Sequence, residues 1–285
     1  MARADQHGAF AFLIYYIIWL IFYSEGSFIL PRYLVFLVVL FGIFPDFDTI
    51  YYIIKKRGEG KIDTQFQHHL MFWTHWPISY IPLIILFVIS VIFNFYSAYF
   101  LTPVIGIYMG HLLFDSISCG DGIMWGKIPW REDQYSVFIN FCKGESDGYH
   151  GVYWEARYRN SFIAKLGNIA VAIGIVLLSV FQIVTIIQYI SNPNSIGVSG
   201  YYLVPLVFLI IGLRHGLRDM PEKYFEEPPE GRYADYRINL DYIEGLSHKT
   251  RRKHIQKYHS LLKEHNLLQK IQNKAKAKDD TKPKG

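Results

Sequence analysis

Three short stretches hold residues whose types and spacing suit divalent-metal chemistry: Pro45-Asp46-Phe47-Asp48, His68-His69 followed by Thr74-His75, and His111 four residues before Asp115. Carboxylates two residues apart are hard oxygen ligands that suit divalent ions and can bridge two of them. Neutral imidazole is the usual nitrogen ligand of zinc, with a partner behind it to orient the ring. On a helix, His111 and Asp115 share one face about one turn apart, and an ionisable pair in an apolar helix is costly unless it faces protein, water or an ion. Each stretch also has an ordinary reading. Aspartates cap helices and fill turns, a single interfacial histidine finds a hydrogen bond, and a His–Asp pair ties helices together. Only their placement relative to one another separates the two readings.

That placement depends on the elements that carry them. The chain is 285 residues, 51% hydrophobic and 17% aromatic, with its apolar residues gathered into long runs at about 9–23, 33–44, 78–101, 102–118, 162–190 and 201–213. Crossing a hydrocarbon core takes roughly 20 apolar residues. Runs 78–101 and 162–190 meet this fully, whereas the first, second and last are short enough to be half-buried helices. The expected fold is therefore all-α, a polytopic membrane bundle of about six hydrophobic helices with a basic helical C-terminal tail. The first run is expected to remain in the mature protein, because aromatic residues fill it and no small-residue cleavage site follows. Pro45 is expected to stop the second helix, and a tight turn near Thr102 to separate the third run from the fourth.

Following the crossings brings the motifs to one side. His7 precedes the first crossing, Asp46 and Asp48 follow the second, His68 to His75 precede the third, and His111 and Asp115 approach the end of the fourth. Of all lysines and arginines, only Arg32 falls on the opposite side, whereas Lys55, Lys56, Arg57 and Lys61 crowd a short loop on the motif side. Short basic loops stay in the cytoplasm, so the motif face and the C-terminus are expected to be cytoplasmic, with the chain in the cell or inner membrane. Carboxylates and histidines at one level predict a two- or three-metal site, with zinc the first expectation because histidines dominate and manganese the second. Such ions lower the pKa of bound water and clamp a displaced oxygen, as phosphoester hydrolysis requires, with Asp46 and Asp48 as the carboxylates for the catalytic base.

The order PDxD, then a histidine cluster ending in Thr-His, then Gly106-x-x-x-Gly110-His111-x-x-x-Asp115 with Gly120 and Met124-Trp125 beyond it, resembles the membrane-bound metal-dependent hydrolase family, the YdjM-like, LexA-regulated type. The resemblance covers roughly residues 1–130. It implies an integral membrane protein whose histidines and aspartates bind metal. The family's ligand set is similar to that of zinc phospholipase C and P1-type nucleases, which by analogy favours phosphoester substrates. Leu70 stands where the family writes arginine and Trp76 where it writes serine. His75 maps onto the second histidine of the motif, and both His68 and His69 remain candidates for the first.

The rest of the chain frames this core. Residues 1–215 form the expected membrane-embedded domain and 216–285 a cytoplasmic tail, helical over about 235–275 and disordered from Asn273. Loop 119–161 lies on the motif face and offers His150 and Glu155 as additional candidate ligands or bases, although polar loop residues are more often simply solvated. Cys119 and Cys142 share that loop without CxxC spacing, so neither a disulfide framework nor a zinc ribbon is indicated. The net charge of +5 is concentrated on the motif side and in the tail, which suits contact with anionic lipid. No nucleic-acid module accompanies it. The expected function is hydrolysis of a phosphoester, lipid or lipid-linked, at the cytoplasmic face by metal-activated water. The alternatives are a divalent-metal transporter using the HxxxD pair and a non-catalytic membrane scaffold with a structural metal.

Overall fold

Long apolar runs become helices because a backbone in hydrocarbon must satisfy its own N–H and C=O groups. The computed structural model describes residues 2–55, 72–118, 123–126, 138–139, 158–192, 200–219, 243 and 248–271. The chain opens with α1 (Ala4–Phe22) and α2 (Arg32–Ile43), which passes through a 3-10 turn (Phe44–Asp46) into α3 (Phe47–Lys55). Two more 3-10 turns, Trp73–His75 and Pro77–Tyr80, lead into α4 (Ile81–Ile92). Next comes α5 (Ser97–Ser118), α-helical at both ends and π-helical over Val104–Leu113. Beyond it lie a short antiparallel ladder of β1 (Ile123–Met124) with β2 (Phe138–Ile139), then α6 (Phe162–Ser191), α7 (Gly200–Gly216), α8 (His248–Lys257) and α9 (His259–Glu264).

Four stretches are long and apolar enough to cross a membrane: Ala4–Phe22, Arg32–Tyr51, Ser97–Ser118 and Phe162–Ser191. Pro77–Ile92 and Gly200–Gly216 are shorter apolar helices, and the architecture is an all-α membrane helix bundle; the run at 78–101, expected to cross in full, is cut to Pro77–Ile92, whereas the first and second runs, expected to be short, lie in stretches long enough to cross. At its centre, α1 packs against α2, α5, α6 and α7. Phe12, Tyr15 and Trp19 of α1 meet Leu34, Val35 and Val38 of α2, Val171, Leu178 and Phe181 of α6 and Leu209 of α7.

Close approach of α1, α2 and α5 rests on small residues. A Cβ on Gly110 would fall 2.5 Å from that of Ala11, one on Gly42 would fall 2.8 Å from the same atom, and one on Gly106 would fall 2.6 Å from the Cβ of Phe41. In lipid, where apolar side chains gain little from leaving water, this small-xxx-small contact is what lets backbones pack tightly.

Several boundaries differ from the sequence expectation. The turn expected near Thr102 lies at Phe93–Tyr96, where Asn94 and Tyr96 adopt positive φ of 51° and 44°. Thr102 sits inside α5, donating its hydroxyl to the Tyr99 carbonyl at 2.7 Å. Phe93, Phe95 and Tyr96 keep hydropathy high through the turn, so only Asn94, a residue that tolerates the left-handed region, marks it. Pro45 does not stop the chain's helical course. It is the second residue of the 3-10 turn, where a missing N–H costs nothing, and α3 follows directly. Helix α1 begins at Ala4, so His7 lies within it, because Asp5, Gln6 and His7 all find buried partners.

In the tail, the expected single helix is broken after Lys257 and again at Asn266, whose φ is 54°. Its apolar residues fold onto one another: Ile243, Leu262 and Ile271 form a small core packed by Ile255, Tyr258, Leu267 and Leu268. The expected disorder from Asn273 falls outside the described residues, as does most of loop 119–161.

Candidate metal centre

Five side chains from four elements converge: His7 from the start of α1, Asp46 from the turn after α2, His75 from the turn before α4, and His111 and Asp115 from the last turns of α5. Each arrives at the same end of the bundle because α1 starts there while α2 and α5 finish there.

Anchoring of the histidine rings decides what their other nitrogens can do. His7 Nδ1 lies 3.0 Å from the Gly110 carbonyl and His111 Nδ1 lies 2.8 Å from the Gly42 carbonyl. A carbonyl only accepts, so both Nδ1 atoms carry the proton, and Nε2 of the neutral ring presents a lone pair. The small residues at the crossing thus also supply the carbonyls that set the rings. On His75, Nδ1 lies 2.8 Å from Asp48 Oδ2, which also accepts from the Thr74 hydroxyl at 2.9 Å. That turn is pinned by the next one, whose Tyr80 donates to the Thr74 carbonyl at 2.6 Å, and the next one by α5, whose Tyr108 donates to the Pro77 carbonyl at 2.7 Å.

With all three Nδ1 atoms turned outward, the Nε2 atoms face inward. His75 Nε2 and His111 Nε2 are 3.1 Å apart, and each lies 3.8 Å from Asp46 Oδ1. His111 Nε2 lies 3.3 Å from Asp115 Oδ2, and His7 Nε2 lies 3.2 Å from Asp115 Oδ1, with the His7 and His111 rings stacked at 4.0 Å. Atoms that face one another here are lone-pair bearers, and such a gathering needs positive charge between them, a proton or a metal ion. Two ligands about 2.0–2.2 Å from one tetrahedral ion lie about 3.3–3.6 Å apart, and the facing atoms here, separated by 3.1 to 3.8 Å, bracket that spacing. Two overlapping groups, His7–Asp46–His111 and His75–His111–Asp115, have ligand atoms close enough to hold a metal ion. Zinc-type donors oriented from behind by carbonyls and a carboxylate are what a metal centre requires.

Burial gives the centre a direction. The side chains of His7, His75, His111, Asp48 and Asp115 are at most 2% exposed, whereas Asp46 is 17% exposed and marks the open side.

Among the residues expected from sequence, His7, Asp46, His75, His111 and Asp115 are brought together. Asp48 is placed differently from the expectation of a direct ligand or base: its Oδ2 is engaged with His75 Nδ1 and Thr74, so it orients the ring. The physical cause is helical phase, since α3 begins at Phe47 and turns the two aspartates apart. His68, His69, His150 and Glu155 lie outside the described residues. Sequence reasoning missed the roles of Gly42 and Gly110, although the small residues Gly106 and Gly110 four apart in an apolar run were a readable sign of close helix packing. No protein-family model, curated protein or solved structure matches this chain.

Proposed function

We propose that the chain is an integral membrane, metal-dependent hydrolase that cleaves a phosphoester, lipid or lipid-linked, at the cytoplasmic face, a reading that also fits its resemblance to the YdjM-like hydrolases. The observation that carries it is the convergence of three Nε2 atoms and two carboxylates, with the far nitrogen of every ring already engaged. A divalent ion bound there supplies a lowered pKa for bound water and a Lewis acid for the phosphoryl oxygens.

The residues divide the remaining work. His111 would hold an ion either with His7 and Asp46 or with His75 and Asp115, with zinc favoured by the nitrogen-rich set and manganese second. Asp48 fixes the His75 ring. Asp46, on the open side, would accept the proton of the attacking water as its oxygen bonds to phosphorus, and return it to the ester oxygen that leaves as the alcohol when the P–O bond breaks. Placement of the cluster at the ends of α1, α2 and α5 favours this over transport, since transporters set their sites near the midplane. The cytoplasmic orientation follows the distribution of lysine and arginine.

Metal analysis of the purified full-length protein, followed by a phosphoester screen against Asp46→Ala and His111→Ala, tests the proposal. Stoichiometric metal lost in His111→Ala, with hydrolysis lost in both, is the expected result. A wild-type protein without metal, or a metal content unchanged in His111→Ala, would sink it.

A further inference from the structure

Helix α3 carries the carboxylate that orients His75 on its inward side and an apolar stripe on its outward side. Phe47, Ile50, Tyr51 and Ile54 are 40%, 54%, 55% and 70% exposed, whereas Asp48 is 4% exposed. At 3.6 residues per turn the four outward residues fall within about 100° of arc, the width of one helix face. Trp73, two residues before His75, is also 54% exposed.

Helix α3 is no isolated surface helix. Its first turns belong to the apolar stretch Arg32–Tyr51, which is long enough to span a bilayer, and in sequence Lys55-Lys56-Arg57 follow directly. A stripe continuous with a span, bearing tyrosine and tryptophan and ending in bases, has the composition of a segment at the boundary between headgroups and acyl chains. The centre opens beside it: Phe47 follows Asp46, the most exposed residue of the cluster, and Tyr51 meets Phe72 edge-on at 6.1 Å on the strand of chain leading to His75.

We propose that the outward stripe of α3, together with Trp73, seats in the headgroup–acyl boundary and admits a lipid-borne phosphoester laterally to the Asp46 side of the centre. The phosphate of such a lipid lies at the level of the stripe, so the substrate reaches the ligands without leaving the leaflet, and its acyl chains remain against Ile50 and Ile54. The substrate half of this inference rests on the hydrolase reading above. The seating of α3 does not.

The test uses the full-length protein in nanodiscs, with Cys119 and Cys142 replaced by serine and an environment-sensitive dye placed at Ile50→Cys or Ile54→Cys. Lipids brominated near the top of the acyl chain are expected to quench both labels, and aqueous iodide is expected to quench them at least about fivefold less than the free dye conjugate, as for groups buried below the headgroups. Iodide quenching equal to that of the free conjugate would overturn the seating. In a second arm, the double variant Ile50→Asn/Ile54→Asn is expected to lose about tenfold in kcat/KM on a phospholipid in vesicles, from lost apolar contact with the lipid. Its metal content and hydrolysis of a water-soluble aryl phosphate stay within about twofold of the wild type, because neither residue touches the centre. Equal losses on both substrates, or none on either, would overturn the lipid assignment. Labels in lipid with no hydrolysis of either substrate by the wild type would overturn the hydrolase reading and the substrate half with it, while supporting the seating.

Discussion

The first turns of α1 lie between two polar networks of opposite character. Toward α6 and α7, the Arg3 guanidinium donates to Asp5 at 2.9 Å and to Asn168 at 2.7 Å, Gln6 donates to the Ala164 carbonyl at 3.1 Å, and Tyr158 donates to Gln6 Oε1 at 2.8 Å. Toward α2 and α5, His7 joins His111, His75, Asp46 and Asp115, where the facing atoms are acceptors. Both networks are admitted by glycine: Gly167 lies under Gln6, Gly212 under Asp5 and Gly216 under Arg3, while Gly42 and Gly110 make room around Ala11. The difference is in charge balance. A network in which a cation meets an anion and donors meet acceptors, with only Arg3 Nη1 buried without an acceptor among its described atoms, serves as helix-to-helix glue. One built from carboxylates and imidazole lone pairs calls for positive charge, a proton or a metal ion, and its atoms lie close enough to hold the ion.

Breaking the acceptor-rich side has the largest expected effect. His111→Ala removes the ring shared by both ligand groups, so bound metal should fall to background and activity with it. Wild-type protein should gain about 2.7 kcal/mol of stability at metal one hundredfold above Kd, and this gain should vanish in the variant. Thermal unfolding with and without chelator measures it, and an equal chelator effect in both proteins would count against the site. Next comes Gly110→Val, whose side chain would drive into Ala11. Overpacking costs about 1–3 kcal/mol, and here it also pushes apart the helices that carry His7 and His111, so stability and metal content should fall together. A variant of normal stability that still lacks metal would show that the crossing matters for ligand placement alone.

The unequal character of the two networks also explains what could be read from sequence. Six apolar runs are visible because hydrocarbon demands continuous hydropathy, and all six are helices in the fold. Ligand types were visible too, since His111 and Asp115 stand out inside an apolar run. Hydropathy carried no phase information through Pro45, which is why Asp46 and Asp48 looked equivalent until α3 turned them to different partners. Nor did it register the turn at Asn94, which is flanked by aromatic residues as apolar as the helices themselves. The glue that joins Arg3, Asp5 and Gln6 to Asn168 is not visible in sequence because its two sides are 162 to 165 residues apart and each residue is individually ordinary.

A smaller effect is expected within the acceptor-rich side, where Asp48 supports a ligand ring from behind. Asp48→Ala leaves every facing ligand atom in place and removes only the carboxylate behind His75, so metal affinity should fall about 10–100-fold without being abolished. Asp48→Asn, which keeps an acceptor for Nδ1, should fall less. Competition with a chelator of known affinity measures both, and complete metal loss in Asp48→Asn would restore Asp48 to the ligand set.

The smallest effect is expected across the helix, and it is the most telling control. Tyr158→Phe deletes the hydroxyl that donates to Gln6 Oε1 one residue before His7, within a network that already has its own charge balance. Losing that bond should cost about 1 kcal/mol of stability. Metal stoichiometry and chelator competition should match the wild type, because the His7 ring is set by the Gly110 carbonyl and not by Gln6. A drop in metal affinity as large as that of Asp48→Ala would mean that the two sides of α1 act as one network, with the glue positioning His7 as strongly as Asp48 positions His75.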